Sequence, residues 1–323
     1  MAENVEPTAP TTIPPKTLNA SSTGVVMSEV LSYDDMGNIS SLNRDGKGVS
    51  AYSYTGNRLN KVTGDTLTTD LYQYDLNGNA VFDGRNKVQL TYNQLNLPAT
   101  ATKTGLNLSY TYSADGIKLQ KISNGTVRNY IDGIEYNGNI IDVIHTEDGL
   151  ARNNGGTFSY EYNLNDHLGN VRYSFRKNTN NAIERIQSDD YYAFGLRKSS
   201  GSPVSLNDKY LYNGKEIQDE LGGQYDYGAR FYDPVIGRWN VVDPKAQLLE
   251  MSSPYVYALN SPTSFIDKDG ELPIYIGGKT KYDSERNSRT YWDAQILATI
   301  AGSGIPNPGH RPCLLTAIDI CIN

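Results

Sequence analysis

Tyrosine recurs along the first half of this chain at an almost fixed step. Tyr33, Tyr54, Tyr74, Tyr92, Tyr112 and Tyr130 stand 21, 20, 18, 20 and 18 residues apart. Such a period marks a repeat architecture, in which no unit buries its apolar face alone and neighbours must stack. Two units carry Tyr-Asp-x-x-Gly-Asn in full, YDDMGN from Tyr33 and YDLNGN from Tyr74. Others keep only part of it: YTGNRL from Tyr54, YNQLNLP from Tyr92 and YSADGIK from Tyr112. One period holds two strands of roughly 5–7 residues and two turns. Gly-Asn supplies the positive-φ position of a hairpin turn. The expected fold is all-β: an open, curled or spiral antiparallel sheet with exposed edges.

The tyrosines also come as Tyr-x-Tyr, at Tyr52/Tyr54, Tyr72/Tyr74, Tyr110/Tyr112, Tyr160/Tyr162, Tyr225/Tyr227 and Tyr255/Tyr257. A spacing of two puts both rings on one face of a strand. The period suggests that successive pairs lie side by side across the sheet, each contact worth about 0.2–1 kcal/mol. The skew of 25 Tyr against 6 Phe serves this purpose. The same tyrosine face, with Tyr52 and Tyr72 upon it, is also what a carbohydrate-stacking surface requires.

Several function classes are disfavoured. A net charge of −7 and no long Lys/Arg cluster argue against nucleic-acid binding by the scaffold. No apolar run reaches the length of a membrane span. Three histidines and two cysteines, Cys313 and Cys321, show no metal spacing. There is no phosphate loop, nucleophile elbow or HExxH, so neither cofactor nor metal is expected. Residues 1–24 are rich in Pro, Thr and Ala, lack the charge pattern of a signal peptide and read as a disordered leader.

Residues 228–270 read GARFYDPVIGRWNVVDPKAQLLEMSSPYVYALNSPTSFIDKDG. The order Arg230, Asp233-Pro, Gly237-Arg-Trp, Asp243-Pro, Tyr255-x-Tyr257, Asn260-x-Pro262 and Asp267-x-x-Gly resembles the RHS repeat-associated core domain of RHS/YD-repeat polymorphic toxins, in a style similar to Bacteroidetes-type cores. The upstream repeats then resemble YD repeats, and DHLGNVR from Asp166 resembles the usual entry into the core. The resemblance divides the chain into a leader (1–24), a YD-repeat sheet (25–165), a core domain (166–270) and a variable tail (271–323). It implies a partial RHS shell that encapsulates and presents a C-terminal effector in interbacterial competition, secreted or at the cell surface. The implied partners are the effector segment or an upstream RHS fragment, together with an immunity protein.

The resemblance also implies a self-cleavage site. In self-cleaving cores an Arg and two Asp act as an aspartyl autoprotease, and the matching positions are Arg230, Asp243 and Asp267, with the cut near Gly270–Leu272. Two close carboxyls suit the task because they share a proton and one can activate water. Three positions depart from the pattern. Lys245-Ala246 follows the second Asp-Pro, Lys268 replaces Pro, and Glu271 replaces a hydrophobic residue. The plainer reading makes Asp233, Asp243 and Asp267 turn residues.

The tail suggests a strand over Pro273–Gly277 and a helix over Arg289–Ala301, giving a short, mostly helical C-terminal tail. Asp283, Glu285, His310 and Arg311 have no spacing that supports a nuclease. His145–Gly156 reads as a loop insertion, with His145 lacking partners, and His167 reads as a structural turn residue. Three functions stay open: a structural toxin scaffold, an autoprocessing toxin precursor, and a carbohydrate-binding surface protein.

Overall fold

The repeat begins as turn chemistry. In the Tyr33 unit, Asp34 Oδ1 accepts from the backbone N–H of Met36 and of Asn38, at 3.0 and 2.8 Å, and Asp34 Oδ2 accepts from Asn38 Nδ2 at 2.9 Å. The Tyr74 unit repeats this, with Asn79 N and Nδ2 donating to Asp75 at 2.8 and 2.9 Å. Two of the degenerate units keep the function with other residues: Asn93 Oδ1 accepts from Leu95 and Leu97, and Ser113 Oγ accepts from Ile117. Gly78 takes φ +86°, and in the Tyr92 unit Asn96 fills the same place at +58°. The requirement is an acceptor at the second position and tolerance of positive φ at the fifth. The Asn then ties turns together. Asn38 Nδ2 donates to Asn57 Oδ1 at 2.9 Å and Asn79 Nδ2 to Asn96 Oδ1 at 2.8 Å. Tyrosine hydroxyls close the unit on the backbone behind it. Tyr54 donates to Ile39 O and Tyr92 to Ala80 O, both at 2.8 Å.

These units build two antiparallel meanders. A computed structural model describes residues 16–20, 27–199, 208–250 and 252–275. Lys16–Ala20, Met27–Tyr33, Ile39–Arg44, Ser50–Thr55 and Arg58–Gly64 form a five-stranded sheet in chain order. Fourteen further strands, from Gln73–Tyr74 to Arg197–Ser199, form a second sheet, also in chain order. Residues 69–72 bond to both: Tyr72 N donates to Asn60 O and Asp70 N to Gly84 O, each at 2.9 Å. Among the described residues the helical elements are short 3₁₀ turns. The all-β, open antiparallel architecture matches the sequence expectation.

Several details differ. Lys16–Ala20, inside the stretch read as a leader, pairs with Met27–Tyr33. His145–Gly156 is no loop: Ile140–Thr146 and Gly149–Asn154 are paired strands. The 165/166 division falls within the fourteen-stranded sheet, because Asp166 caps a turn of the repeat type and Val171–Lys177 pairs with Thr157–Asn165. The helix expected at Arg289–Ala301, both cysteines and Asp283, Glu285, His310 and Arg311 lie outside the described residues.

Residues 208–275 do not extend the meander. They pack against one face of it. A four-stranded sheet (Glu216–Gln218, Gln224–Asp226, Phe231–Asp233, Arg238–Trp239) and a strand pair (Phe265–Asp267, Pro273–Tyr275) form this block. Its Tyr212, Tyr225, Tyr232, Trp239 and Tyr257 share one core with Leu31, Leu42, Tyr52, Leu59 and Val62 of the first sheet. Leu221 and Phe231 join Val88, Leu90, Leu108 and Tyr110 of the second. Basic side chains of the sheets key into the block. Arg44 pairs with Glu29 at 2.6 Å and donates to the carbonyls of Pro234 and Val235. Arg85 reaches Asp233 at 2.6 Å, and Lys118 bridges Glu216 and Asp226.

This docking corrects the reading of the tyrosines. A period of two strands leaves a strand between equivalent positions, roughly 9.5 Å of sheet, too far for side-by-side pairing. The rings touch within a pair instead: Tyr52–Tyr54 at 6.5 Å and Tyr110–Tyr112 at 6.3 Å. Tyr52 and Tyr72 are 9% and 7% exposed, so neither offers a ring to a sugar.

Candidate functional site

Three turns of the block place the expected residues together. Arg230 lies in the short connection that leads into Phe231–Asp233, Asp243 follows Arg238–Trp239, and Asp267 ends Phe265–Asp267. All three are buried, Arg230 and Asp267 to 1% exposure. Arg230 Nη2 reaches Asp243 Oδ2 at 2.8 Å and Asp267 Oδ2 at 3.2 Å. The guanidinium stacks on Trp239, 4.1 Å from the ring centroid, which holds its plane. Burial pushes both carboxyls above the usual range, and the arginine charge opposes this in each. Burial likewise lowers the proton affinity of Arg230, against the pull of Asp243 and Asp267. The arrangement therefore holds two carboxyls of raised proton affinity on one fixed cation.

Each aspartate takes part in its own turn and in the cluster at once. Asp243 Oδ1 accepts from Lys245 N at 2.7 Å, and Asp267 Oδ1 accepts from Gly270 N at 2.8 Å and Glu271 N at 3.1 Å. In each case one oxygen shapes the turn and the other faces Arg230. Asp233 is different: it caps its turn through Val235 N and pairs with Arg85, not with the cluster.

The same arginine grips the backbone beyond Asp267. Arg230 Nε donates to Gly270 O at 2.5 Å. The Gly270–Glu271 peptide thus has its carbonyl on a guanidinium and its N–H on a carboxylate. Beside it lies a cavity of about 10 Å³, lined by Arg230, Asp243, Asp267, Ser253, Pro254 and Pro273 among others. That volume holds about one water. Two further cations hold the segment. Lys215 Nζ donates to Lys268 O, and Lys245 Nζ stands 3.7 Å from Glu271 Oε2. Lys215 carried no motif signal, and contact with a backbone carbonyl leaves no trace in sequence spacing.

Other candidates resolve as structure. His145 has partners after all: its Nε2 lies 2.7 Å from Glu135 Oε1, and its ring meets Tyr210 edge-on at 4.4 Å. No cluster of His, Cys, Asp and Glu suited to a metal occurs among the described residues. Asp208, which opens the block, is 5% exposed. Burial, with Glu161 nearby, raises its carboxyl to about 6, although Tyr210 N and Ser174 Oγ donate to it. A folded-state value above the unfolded one means that stability from this group falls as pH rises through about 6. Asp208→Asn keeps one acceptor oxygen for Tyr210 N, places an NH2 that can donate to Ser174 Oγ in place of the second oxygen, and removes the charge. It is expected to stabilise the protein at pH 7.5 by up to about 3 kcal/mol and to gain little at pH 4.5, as read by urea denaturation at the two pH values.

No family model matches the chain. Among curated proteins, it is 27% identical over 286 residues to the tRNA(Glu)-specific nuclease WapA of Bacillus subtilis subsp. natto, covering 81% of this chain and 12% of the relative. It is 32% identical over 92 residues to the toxin subunit YenC2 of Yersinia entomophaga, covering 28% of this chain and 9% of that protein. It is 36% identical over 129 residues to salivary gland surface protein 1 of Aedes aegypti, covering 40% of this chain and 3% of the relative. Among solved structures, the TcdB2-TccC3-Cdc42 complex matches with a TM-score of 0.53 and 19% identity, over 76% of this chain and 16% of that one. The Photorhabdus luminescens Tc holotoxin pore matches with a TM-score of 0.53 and 16% identity, over 79% of this chain and 17% of that one. The chain thus spans about a tenth or less of these curated relatives and about a sixth of the matched structures. These structural likenesses establish that this chain shares its fold with part of those two structures.

Proposed function

We propose that this chain is part of an RHS-type toxin scaffold whose strands wrap a core block and present the segment that follows it as an effector. The observation that carries this reading is the docking of residues 208–275 on one face of the repeat sheets, through a shared core and the Arg44, Arg85 and Lys118 contacts. The names of two relatives, a tRNA nuclease and a toxin subunit, support a toxin setting. The proposed setting is competition between bacteria, with the protein secreted or displayed at the cell surface and an immunity protein guarding the producer. The test is a co-culture of a producing strain with a sister strain that lacks the adjacent immunity gene. A stop codon after Tyr275 is expected to abolish inhibition of the sister strain while the folded scaffold persists at normal abundance. Undiminished inhibition by the truncated form would overturn the proposal.

A second reading is favoured by the hold on Gly270: the same block cuts its own chain at Gly270–Glu271. Arg230 polarises the carbonyl, and the ionised member of the Asp243/Asp267 pair takes a proton from water while the protonated member supplies one to the Glu271 nitrogen. Water adds OH to the Gly270 carbonyl carbon and H to the Glu271 nitrogen as the C–N bond breaks. The products are a carboxylate facing Arg230 and an amine facing Asp267, which takes up a proton. Intact-mass measurement of the purified 35.7 kDa chain is expected to give two fragments meeting at Gly270/Glu271, and Asp267→Asn a single intact mass. A folded wild-type chain that stays whole rules the reading out.

A further inference from the structure

Two of the positions at which this site departs from its expected pattern meet each other in space. Lys245 lies two residues after Asp243, and its N–H donates to Asp243 Oδ1 at 2.7 Å, so the turn that binds Arg230 also fixes where this side chain begins. Its Nζ reaches across to Glu271 Oε2 at 3.7 Å. Glu271 is the residue on the far side of the gripped carbonyl, and its N–H already donates to Asp267 Oδ1 and Asp269 Oδ1, both at 3.1 Å. Asp267, Asp269 and Glu271 place three acidic groups within five positions. Without a cation the glutamate would repel the two carboxylates that hold its own amide.

We propose that Lys245 is a positioning and specificity-determining residue of this site, one that selects an acidic side chain immediately after Gly270 and holds the Gly270–Glu271 peptide in register with Arg230 and the aspartates. The proposal rests on the self-cleavage reading above. Both side chains are partly exposed, at 41% and 37%, and exposed pairs contribute little. The expected effects on rate are therefore fewfold and sensitive to salt, not all-or-none.

The experiment follows the full chain by time-resolved intact mass after dilution from denaturant. Lys245→Glu is expected to slow appearance of the fragments about fivefold, and Lys245→Arg to keep the wild-type rate. The exchange Lys245→Glu/Glu271→Lys is expected to recover the rate to within about twofold. Raising salt to about 1 M is expected to slow wild type but not Glu271→Leu, since close charges are screened there. Fragments that form at equal rates in wild type, Lys245→Glu and the exchange variant overturn the Lys245 proposal and leave self-cleavage standing. An exchange variant no faster than Lys245→Glu does the same. A folded wild type that never fragments removes both.

Discussion

Arg230→Ala is expected to lose about 3–5 kcal/mol of folding stability, most of it at alkaline pH. Arg230 is almost fully buried and serves Asp243, Asp267, the Gly270 carbonyl and the face of Trp239 at once. Its removal leaves two buried carboxylates with no cation, and an unpaired buried charge costs far more than a lost surface contact. The pH sign follows from burial. Both aspartates already have raised proton affinity, and without the arginine it rises further. The folded variant therefore binds protons more tightly than the unfolded chain, so its stability grows as pH falls. Urea denaturation at pH 8 and pH 5.5 measures this. The destabilisation should be clearly larger at pH 8. Arg230→Lys keeps the charge but not the planar fork that grips Asp267 and Gly270 together, and falls between alanine and wild type. A loss under about 1 kcal/mol that does not change with pH would show that the cluster is already neutral.

Trp239→Ala is expected to cost a further 3–5 kcal/mol on its own, roughly the usual range for deleting a buried Trp. Its ring lies 5.1 Å from Tyr227, 5.3 Å from Tyr232 and 5.5 Å from Tyr257, at the centre of the core that joins block and sheet. Tyr160→Ala is the control. Tyr160 is 58% exposed on the other half of the meander and should change stability by about 0.5 kcal/mol or less. Because Trp239 braces Arg230, the two substitutions should not add. The double variant is expected to fall short of the sum by 1 kcal/mol or more, roughly the coupling seen for residues in contact. Full additivity would mean that the stacking contact carries no energy.

Much of the sheet was legible because its chemistry is local. Asp34 with Asn38 and Asp75 with Asn79 are contacts four residues apart, so a motif in the chain is already a turn in space. The units at Tyr92 and Tyr112 were legible for the same reason, since Asn93 and Ser113 keep the acceptor. Arg230, Asp243 and Asp267 were found through family resemblance, and the folded chain brings them together. The fate of the tyrosines was not legible. Spacing places Tyr52 and Tyr54 on one face but does not say what covers that face, and the covering partner is Ile236 and its neighbours nearly two hundred residues later. The keys Arg44, Arg85 and Lys118 were missed on the same ground, as their acceptors lie about 100 to 190 residues away. Lys215 was hidden differently, and Lys245 was visible only as a departure from the motif, without its partner. Each acts on the segment after Asp267, one through a carbonyl that every residue possesses.

The claim that repeat sheets and core block form one body is tested most directly by native-state hydrogen exchange on the intact chain. The shared core requires amides of residues 27–64 and 208–270 to exchange through the same, slowest opening, and Trp239→Ala to speed both together. Strands between residues 126 and 177, which contribute little to that core, should open earlier. Protection of 27–64 that survives while 208–270 exchanges freely would contradict the account, because the block would then be a separate passenger on the sheet.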